Sequence, residues 1–209
     1  AGAVMYAYAR WRGAPRPERP EWRSAIVVGT LLFLGGNGAV VWAQQWIPSG
    51  VAALLVATEP MLFVLLDSLR RRQRPTQPVV IGLVLGLAGI AVLIGPGKIL
   101  GGGRVDAVAA LVLVGGAIAW AIGSLLSKSS RMPASPAMAT ALTLLCGGAA
   151  LLVASVVRGE PFSFELSAVS ARSLLALFYL FSFGSLVGFS AYLWILRVAT
   201  TARASTYAY

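Results

Sequence analysis

The sequence predicts an all-α fold, a polytopic bundle of transmembrane helices, and three observations lead to this prediction. Hydrophobic residues make up 58% of the 209 residues, whereas charged residues make up only 11%. The apolar residues are gathered into stretches of roughly 20, the length that crosses about 30 Å of hydrocarbon as a helix. Short gaps that contain most of the lysine and arginine separate these stretches, as in a membrane protein rather than a soluble globule.

The apolar stretches define the expected helices in chain order. Each stretch ends in a gap that contains glycine, proline or basic residues, and we expect these gaps to form loops. The chain begins and stops inside apolar stretches, so we expect that helices are cut at both ends. The expected spans are the tail of an earlier one at residues 1–9, then 24–47, 51–69, 79–94, 105–127, 137–157 and 173–196, followed by the start of another.

Two residues distinguish the span at 51–69 from a simple membrane anchor. Glu59 and Pro60 lie side by side within it, shortly after the turn formed by Pro48-Ser49-Gly50. A carboxyl group in hydrocarbon is costly, and a proline inside a helix leaves a backbone carbonyl without its usual donor. Both are therefore expected to face protein or a water-filled cavity, which makes this hairpin the first candidate functional region.

Positive charge is divided unequally between alternate loops. One set of alternate loops holds thirteen of the 17 lysine and arginine residues, and the other set holds four. Because cytoplasmic loops carry an excess of these residues, we expect the richer set in the cytoplasm and the Pro48 turn outside it. This topology also explains the net charge of +10, so nucleic-acid binding is not expected.

Residues suited to catalysis or metal binding are scarce. The chain has one cysteine, Cys146, and no histidine, which excludes an internal disulfide and removes the commonest metal ligand and proton shuttle. Glu59 is the one plausible catalytic group within the spans. We therefore expect no enzyme activity, no metal site and no cofactor.

The sequence contains a weak internal repeat. Arg12-Gly13-Ala14-Pro15 recurs 146 residues later as Arg158-Gly159-Glu160-Pro161, and the hairpin that starts at Pro48 overlies the segment that starts at Ala199 with an offset of 151. Chance similarity of apolar segments is the alternative interpretation. Five predicted spans separate each element from its copy, and an odd number reverses the direction through the membrane. The repeat is therefore expected to be inverted, as in many secondary transporters.

Several stretches together resemble the EamA-type branch of the drug/metabolite transporter superfamily. They occur in the family's order over almost the whole chain, and the resemblance is specific as a set rather than in any one motif. The stretches are Gly36-Asn37-Gly38, Pro48-Ser49-Gly50-Val51-Ala52-Ala53 with Ala57-Thr58 and Pro60, Gly82 to Gly89, Trp120-Ala121-Ile122-Gly123-Ser124, Gly184-Ser185, and Ser205-Thr206-Tyr207-Ala208-Tyr209.

The resemblance implies a fold of ten helices in two inverted halves of five. The protein would lie in a bacterial-type inner membrane, with both termini in the cytoplasm. This chain would carry about seven to eight of those helices, with residues 1–96 in the first half and 104–209 in the second. It would lack the first helix, part of the second, most of the ninth and the tenth. The implied function is export or exchange of small metabolites, including amino acids and aromatic ones among them, by alternating access through a central cavity.

Candidate binding residues are the polar and amphipathic side chains within the spans. Glu59 is the most pointed candidate, for substrate binding or for proton coupling, because family members often carry an apolar residue there; the alternative is a carboxyl group that is hydrogen-bonded to a neighbour without a transport role. Aromatic rings with polar tips suit a flat solute. The further candidates are Asn37, Trp42, Trp120, Ser124, Tyr192, Tyr207 and Tyr209.

Several residues near the ends of the spans also suit a structural role. Trp42 and Trp46 lie near the outer end of their helix, where an aromatic belt at the membrane interface is the competing interpretation. Asp67 is expected to form an ion pair with Arg70 or Arg71 at the cytoplasmic end of its helix. Gly36 and Gly38, like the glycines of the span at 173–196, are expected to serve close packing or bending rather than binding.

A non-transporting membrane scaffold or assembly subunit is the alternative function. It predicts a packed centre without a cavity and a purified protein that moves no solute in liposomes. The expected partners of a transporter are a small-molecule substrate and the lipid bilayer, and the sequence indicates no obligate protein partner.

Overall fold

The predicted all-α class is confirmed by a computed structural model, which describes residues 1–94, 106–162 and 169–205. Within these ranges the regular structure is helical and contains no strand. The expected loop at residues 95–103 lies outside the described residues, as does the last part of the chain.

The helices are numbered here in chain order. They are α1 (Gly2–Trp11), α2 (Arg19–Gly29), a π-helical segment (Thr30–Asn37), α3 (Gly38–Ala43), α4 (Ser49–Val56), α5 (Glu59–Arg71), α6 (Gln77–Ile94), α7 (Ala107–Ser129), α8 (Pro136–Val157), a 3₁₀ turn (Glu160–Phe162), α9 (Ala171–Tyr179), a second π-helical segment (Leu180–Gly188), α10 (Phe189–Val198) and α11 (Thr201–Ser205).

Five helical stretches within the described ranges are long and apolar enough to cross a membrane. They are Arg19–Ala43, Ser49–Arg71, Ala107–Ser129, Pro136–Val157 and Ala171–Val198. Each overlaps a span predicted from hydropathy, with boundaries that differ by a few residues. Large apolar side chains remain exposed along them, including Leu175, Phe178 and Val187, as lipid-facing positions do. The chain is therefore a multi-pass membrane protein.

The first compact unit comprises Ala1–Leu34 and Leu126–Val198. In this unit α1, α2 and α10 pack against α8. Small residues let these helices touch through their backbones, because a Cβ placed on Gly29 would lie 2.7 Å from the carbonyl oxygen of Thr143 and 2.8 Å from the amide nitrogen of Gly147. This contact is the close helix packing that small residues allow in membranes.

The second compact unit comprises Gly35–Leu125 and Ala199–Tyr209. Here α4 packs against α6, and α11 packs against α5. One buried apolar cluster joins the helical stretches on either side of the Pro48 turn to α7. Its buried members are Ala43, Ile47, Ala52, Ala109 and Leu113.

Two glycines that belong to the predicted repeat share an unusual backbone conformation. Gly13 follows the end of α1 with φ of 82°, and Gly159 follows the end of α8 with φ of 76°. Left-handed conformations after a helix end favour glycine, since a Cβ there is strained. Both occurrences of the Arg-Gly-X-Pro motif thus place a left-handed glycine after a helix end.

The two π-helical segments are also related by the spacing of the repeat. Thr30 and Leu180, which begin them, are 150 residues apart, and Asn37 and Gly188, which end them, are 151 residues apart. A π-helical segment accommodates an extra residue in a turn and is frequent at functional sites. Hydropathy predicts the spans that contain these segments but not their change of helical geometry.

Candidate solute-binding site

A cavity of about 250 Å³ lies within the second unit, beside the break between α4 and α5. Small and branched apolar residues form most of its wall, and three side chains with polar atoms complete it. The lining residues are Gly36, Asn37, Val40, Val56, Glu59, Gly116, Ala117 and Trp120. An apolar wall with a few convergent polar groups is typical of small-molecule sites.

The acidic side chain of this cavity is positioned by an interruption of its membrane span. Helix α4 ends at Val56 and α5 begins at Glu59, with Thr58 in the turn between them. The Thr58 hydroxyl donates a hydrogen bond of 2.6 Å to the carbonyl oxygen of Leu55, and Pro60 follows within the first turn of α5. Discontinuous membrane helices of this kind form substrate sites in transporters.

Glu59 is buried, with 5% of its surface exposed. As the first residue of α5, it lies at the end of the helix where the helix dipole favours negative charge. Burial of a carboxyl group within a membrane span is costly, and a binding role for Glu59 stays a prediction.

The indole of Trp120 can form part of the cavity wall because Gly36, which it contacts, has no side chain. A Cβ placed on Gly36 would lie 2.6 Å from Cε3 of Trp120, well inside ordinary contact distance. Trp120 belongs to α7, and Gly36 lies in the first π-helical segment. The ring therefore packs directly over the backbone of that segment, and this contact holds the ring as part of the cavity wall.

A second pair of small residues brings α7 against the same segment. A Cβ placed on Gly116 would lie 2.6 Å from Cβ of Ala39 and 3.1 Å from the carbonyl oxygen of Gly35. Gly116 and Ala117 thus form the part of the wall that α7 contributes next to Trp120. Asn37, the last residue of the π-helical segment, remains exposed and contributes its amide to the lining.

The cavity brings together three of the predicted binding residues, Asn37, Glu59 and Trp120. Sequence reasoning missed the apolar lining residues Val40 and Val56, and it assigned Gly36 to close packing or bending rather than to binding. The glycines of Gly36-Asn37-Gly38 did indicate that a neighbouring helix approaches closely. The sequence spacing could not identify Trp120 as the residue that contacts Gly36.

Two further predicted residues of the second unit are placed elsewhere. Ser124 is fully buried on α7, and its hydroxyl donates a hydrogen bond of 2.7 Å to the carbonyl oxygen of Trp120. Trp42 is half-buried against the apolar cluster beside the Pro48 turn, with its ring centroid 6.4 Å from that of Trp46. Trp46 is 58% exposed, as a residue of an interfacial belt would be.

The remaining predicted residues lie in the first unit or beyond the described ranges. Tyr192 is buried in α10 of the first unit, with its ring centroid 6.1 Å from that of Phe189. Tyr207 and Tyr209 lie outside the residues that the structure describes. The binding roles of these three tyrosines stay predictions.

The ion pair predicted for Asp67 is confirmed. Its Oδ1 lies 2.9 Å from Nε of Arg71, one turn further along α5. The neighbouring Arg70 donates a hydrogen bond of 3.4 Å to the carbonyl oxygen of Leu125, which lies near the C-terminal end of α7. Both arginines at this end of α5 thus interact with nearby groups of the protein.

The first unit contains a separate polar cavity of about 270 Å³. Arg197 of α10 forms part of it and donates hydrogen bonds to the carbonyl oxygens of Ala134, at 3.1 Å, and Pro133, at 2.9 Å. These bonds tie the end of α10 to the loop between α7 and α8. The other lining residues are Ser127, Lys128, Ser130, Met132 and Leu196.

Comparison with curated proteins shows similarity to transporters from bacteria and to a plant protein. The inner membrane transporter YedA of Escherichia coli strain K12, described as uncharacterized, is 35% identical over 100% of this chain and 66% of its own length. A WAT1-related chloroplastic protein of Arabidopsis thaliana is 26% identical over 92% of this chain and 47% of its own length. The uncharacterized transporter YvbV of Bacillus subtilis strain 168 is 27% identical over 73% of this chain and 48% of its own length.

These proportions mean that the chain spans 66% of the length of YedA and less than half of the other two relatives. A family model described as the EamA-like transporter family matches residues 1–95 and 107–209, which is nearly the whole chain. The resemblance noted in the sequence is thereby confirmed. The chain belongs to the EamA-like transporter family.

Proposed function

We propose that this protein is a secondary transporter that exports or exchanges small organic metabolites by alternating access. The observation that carries the proposal is the cavity that contains Glu59 and Trp120 next to a broken membrane helix. A cavity of 250 Å³ exceeds the engineered cavity of about 150 Å³ that holds a benzene molecule. It has room for a solute of one ring with a short chain.

The cavity favours transport over the scaffold alternative. A scaffold needs only packed contacts between helices, whereas an acidic residue within a membrane span is costly and commonly marks a functional site. In this chain the void is lined by glycine and alanine of α7 and of the π-helical segment, residues that leave space beside close helix contacts.

Two structural correspondences support the division into inverted halves, residues 1–96 and 104–209. The left-handed glycines Gly13 and Gly159 each follow the end of a helix, and the two π-helical segments are separated by 150 to 151 residues. The two ranges matched by the family model agree with such a division. Inverted halves permit alternating access, since each half can adopt the conformation of the other.

The π-helical segments are the proposed sites of bending during this exchange. Both lie within spans long enough to cross the membrane, and a turn with one extra residue lacks the regular hydrogen-bond ladder of an α-helix. The first of them carries Gly36 and Asn37 into the cavity wall. A change of its curvature would therefore alter the site and its access together.

We further propose an inner-membrane location with the basic loops in the cytoplasm. The distribution of lysine and arginine supports this orientation, and YedA is itself described as an inner membrane transporter. Within the site, Glu59, Asn37 and Trp120 are the proposed solute contacts. Amino acids, including aromatic ones, enter the set of candidate solutes through the family resemblance.

Uptake into liposomes tests the proposal. The purified protein is reconstituted, and uptake of a panel of amino acids and amines is followed with and without a pH gradient. We expect uptake above that of protein-free liposomes, and we expect Trp120→Leu to reduce it at least tenfold because the ring forms a wall of the site. Trp46→Leu is the matched control, since that ring is exposed and lies outside the cavity lining.

The same assay addresses proton coupling by Glu59. Coupling predicts that a pH gradient drives accumulation and that Glu59→Gln abolishes this drive. If the gradient has no effect and the variant transports normally, proton coupling is excluded. If no solute is taken up above the protein-free rate, the transporter proposal is wrong and the scaffold alternative is favoured.

A further inference from the structure

The charges of the cavity allow the solute class to be narrowed, and this step rests on the proposed function. Glu59 supplies a carboxylate, Asn37 an amide and Trp120 an indole, while the other lining residues are glycine, alanine and valine. Among the lining residues that the structure describes, none is lysine or arginine. The one ionisable side chain among the described lining residues is therefore acidic.

The basic residues of α5 are too distant to change this balance by contact. Arg70 follows Glu59 by eleven positions on the same helix, which corresponds to about 16 Å along the axis at 1.5 Å per residue. Arg70 and Arg71 are engaged at that end of the helix, with the carbonyl oxygen of Leu125 and the carboxylate of Asp67, respectively.

We propose that the cavity selects organic amines, solutes with a protonated ammonium group on a compact apolar or aromatic body and without a carboxylate. An ionised carboxylate has about four acceptor positions, so Glu59 can accept a solute N–H beside any hydrogen bond from the protein. Tryptophan is the best of the aromatic side chains for holding a cation over its ring. Glu59 and Trp120 line one cavity, and together they form a recognition site for an ammonium group.

The same arrangement discriminates against amino acids of equal size. An amino acid would bring its own carboxylate close to Glu59, and two carboxylates that share one site disfavour each other's ionised form. A site that binds an amino acid normally supplies a cation or helix N-terminus to that carboxylate. At the N-terminus of α5, Pro60 has no N–H, and the N–H groups of Met61 and Leu62 donate to the carbonyl oxygen of Thr58. The decarboxylated amine avoids this repulsion and keeps the ring.

The test compares phenethylamine with phenylalanine, a pair that differs by one carboxylate. Binding of each to the intact purified protein is measured by isothermal titration, and uptake of each is measured in proteoliposomes. We expect phenethylamine to bind at least tenfold more tightly than phenylalanine. Phenyltrimethylammonium, a permanent cation, should compete with phenethylamine, because recognition requires the charge rather than transfer of a proton from the amine.

Variants of Glu59 and Trp120 test whether the preference for phenethylamine over phenylalanine arises in this cavity. Glu59→Gln should reduce the preference for the amine to less than threefold, whereas Glu59→Asp should retain part of it. Asp67→Asn is the matched control: it removes a second carboxylate of the same helix that is paired with Arg71 outside the cavity, and it should leave the preference unchanged. Trp120→Leu gives an independent reading if Glu59→Gln does not fold, and it should weaken binding of phenyltrimethylammonium at least fivefold.

The outcomes separate this inference from the transporter proposal. If phenylalanine is bound and transported as well as phenethylamine, or better, the amine preference is refuted while transport stands. A preference that persists unchanged in Glu59→Gln refutes the role of that carboxylate. If neither solute, nor any other member of the uptake panel, is moved, both the inference and the proposed function are wrong.

Discussion

Adding one methyl group to Gly116 should separate α7 from the first π-helical segment. The position is buried, and a Cβ there would lie 2.6 Å from Cβ of Ala39 and 3.1 Å from the carbonyl oxygen of Gly35. Neither atom belongs to a flexible side chain that could rotate away. Gly115, the preceding residue of α7, is exposed, and a Cβ there would have no atom within 4 Å. The two glycines form a matched pair.

The size of the effect follows from these distances. Carbon atoms pack favourably at about 3.5 to 4.0 Å, so Gly116→Ala requires the helices to move apart by about 1 Å. A gap of that size forfeits a quarter to a half of the dispersion energy of the contacts it opens, and overpacking a tight site typically costs about 1–3 kcal/mol. Both variants gain the helix propensity of alanine, worth up to about 1 kcal/mol, and this gain cancels in their difference.

Unfolding in mixed detergent micelles, followed by circular dichroism, measures this difference. We expect Gly116→Ala to be less stable than Gly115→Ala by about 1–3 kcal/mol. Because Gly116 also lines the cavity, solute binding should weaken in Gly116→Ala and remain unchanged in Gly115→Ala. Equal stability of the two variants would show that α7 does not approach the π-helical segment as described.

Two further predictions concern the first unit. Gly147→Ala should destabilise the protein by about 1–3 kcal/mol relative to Gly148→Ala, since a Cβ at Gly147 would contact the ring of Phe33 and the backbone of α2, whereas one at Gly148 would meet open space; equal unfolding curves would contradict this packing. Arg197→Lys should lower the free energy of unfolding by about 1 kcal/mol, because an ammonium group cannot reproduce both hydrogen bonds to the loop carbonyls. Arg131→Lys, in the same loop, should have no effect, and equal losses from both would contradict a specific role of the two Arg197 hydrogen bonds.

The membrane spans could be located from the sequence because hydropathy is a local property. A run of about 20 apolar residues must form a helix in hydrocarbon, since no other continuous segment satisfies its backbone there. The same local reasoning identified Glu59 as costly and paired Asp67 with the arginines that follow it. The internal repeat stays a prediction, and both of its glycines, Gly13 and Gly159, have the left-handed conformation after a helix end.

Which side chains share a cavity was decided by tertiary packing. Trp42 and Trp120 looked alike as amphipathic rings within spans, yet Trp120 lies over Gly36 and lines the cavity, whereas Trp42 packs beside Trp46 near the Pro48 turn. Ser124 does not line this cavity, and its hydroxyl donates to the carbonyl oxygen one turn back on α7; its binding role stays a prediction.

The physical reason is that a span specifies its length and polarity but not its partners. Contacts between helices in a membrane depend on where small residues let two backbones approach, and Gly36 and Gly116 acquire that role only because α7 lies beside the π-helical segment. The sequence by itself determined that the carboxyl group of Glu59 must face protein or water rather than lipid. The tertiary structure decided that Glu59 lines one cavity with Trp120 and Asn37.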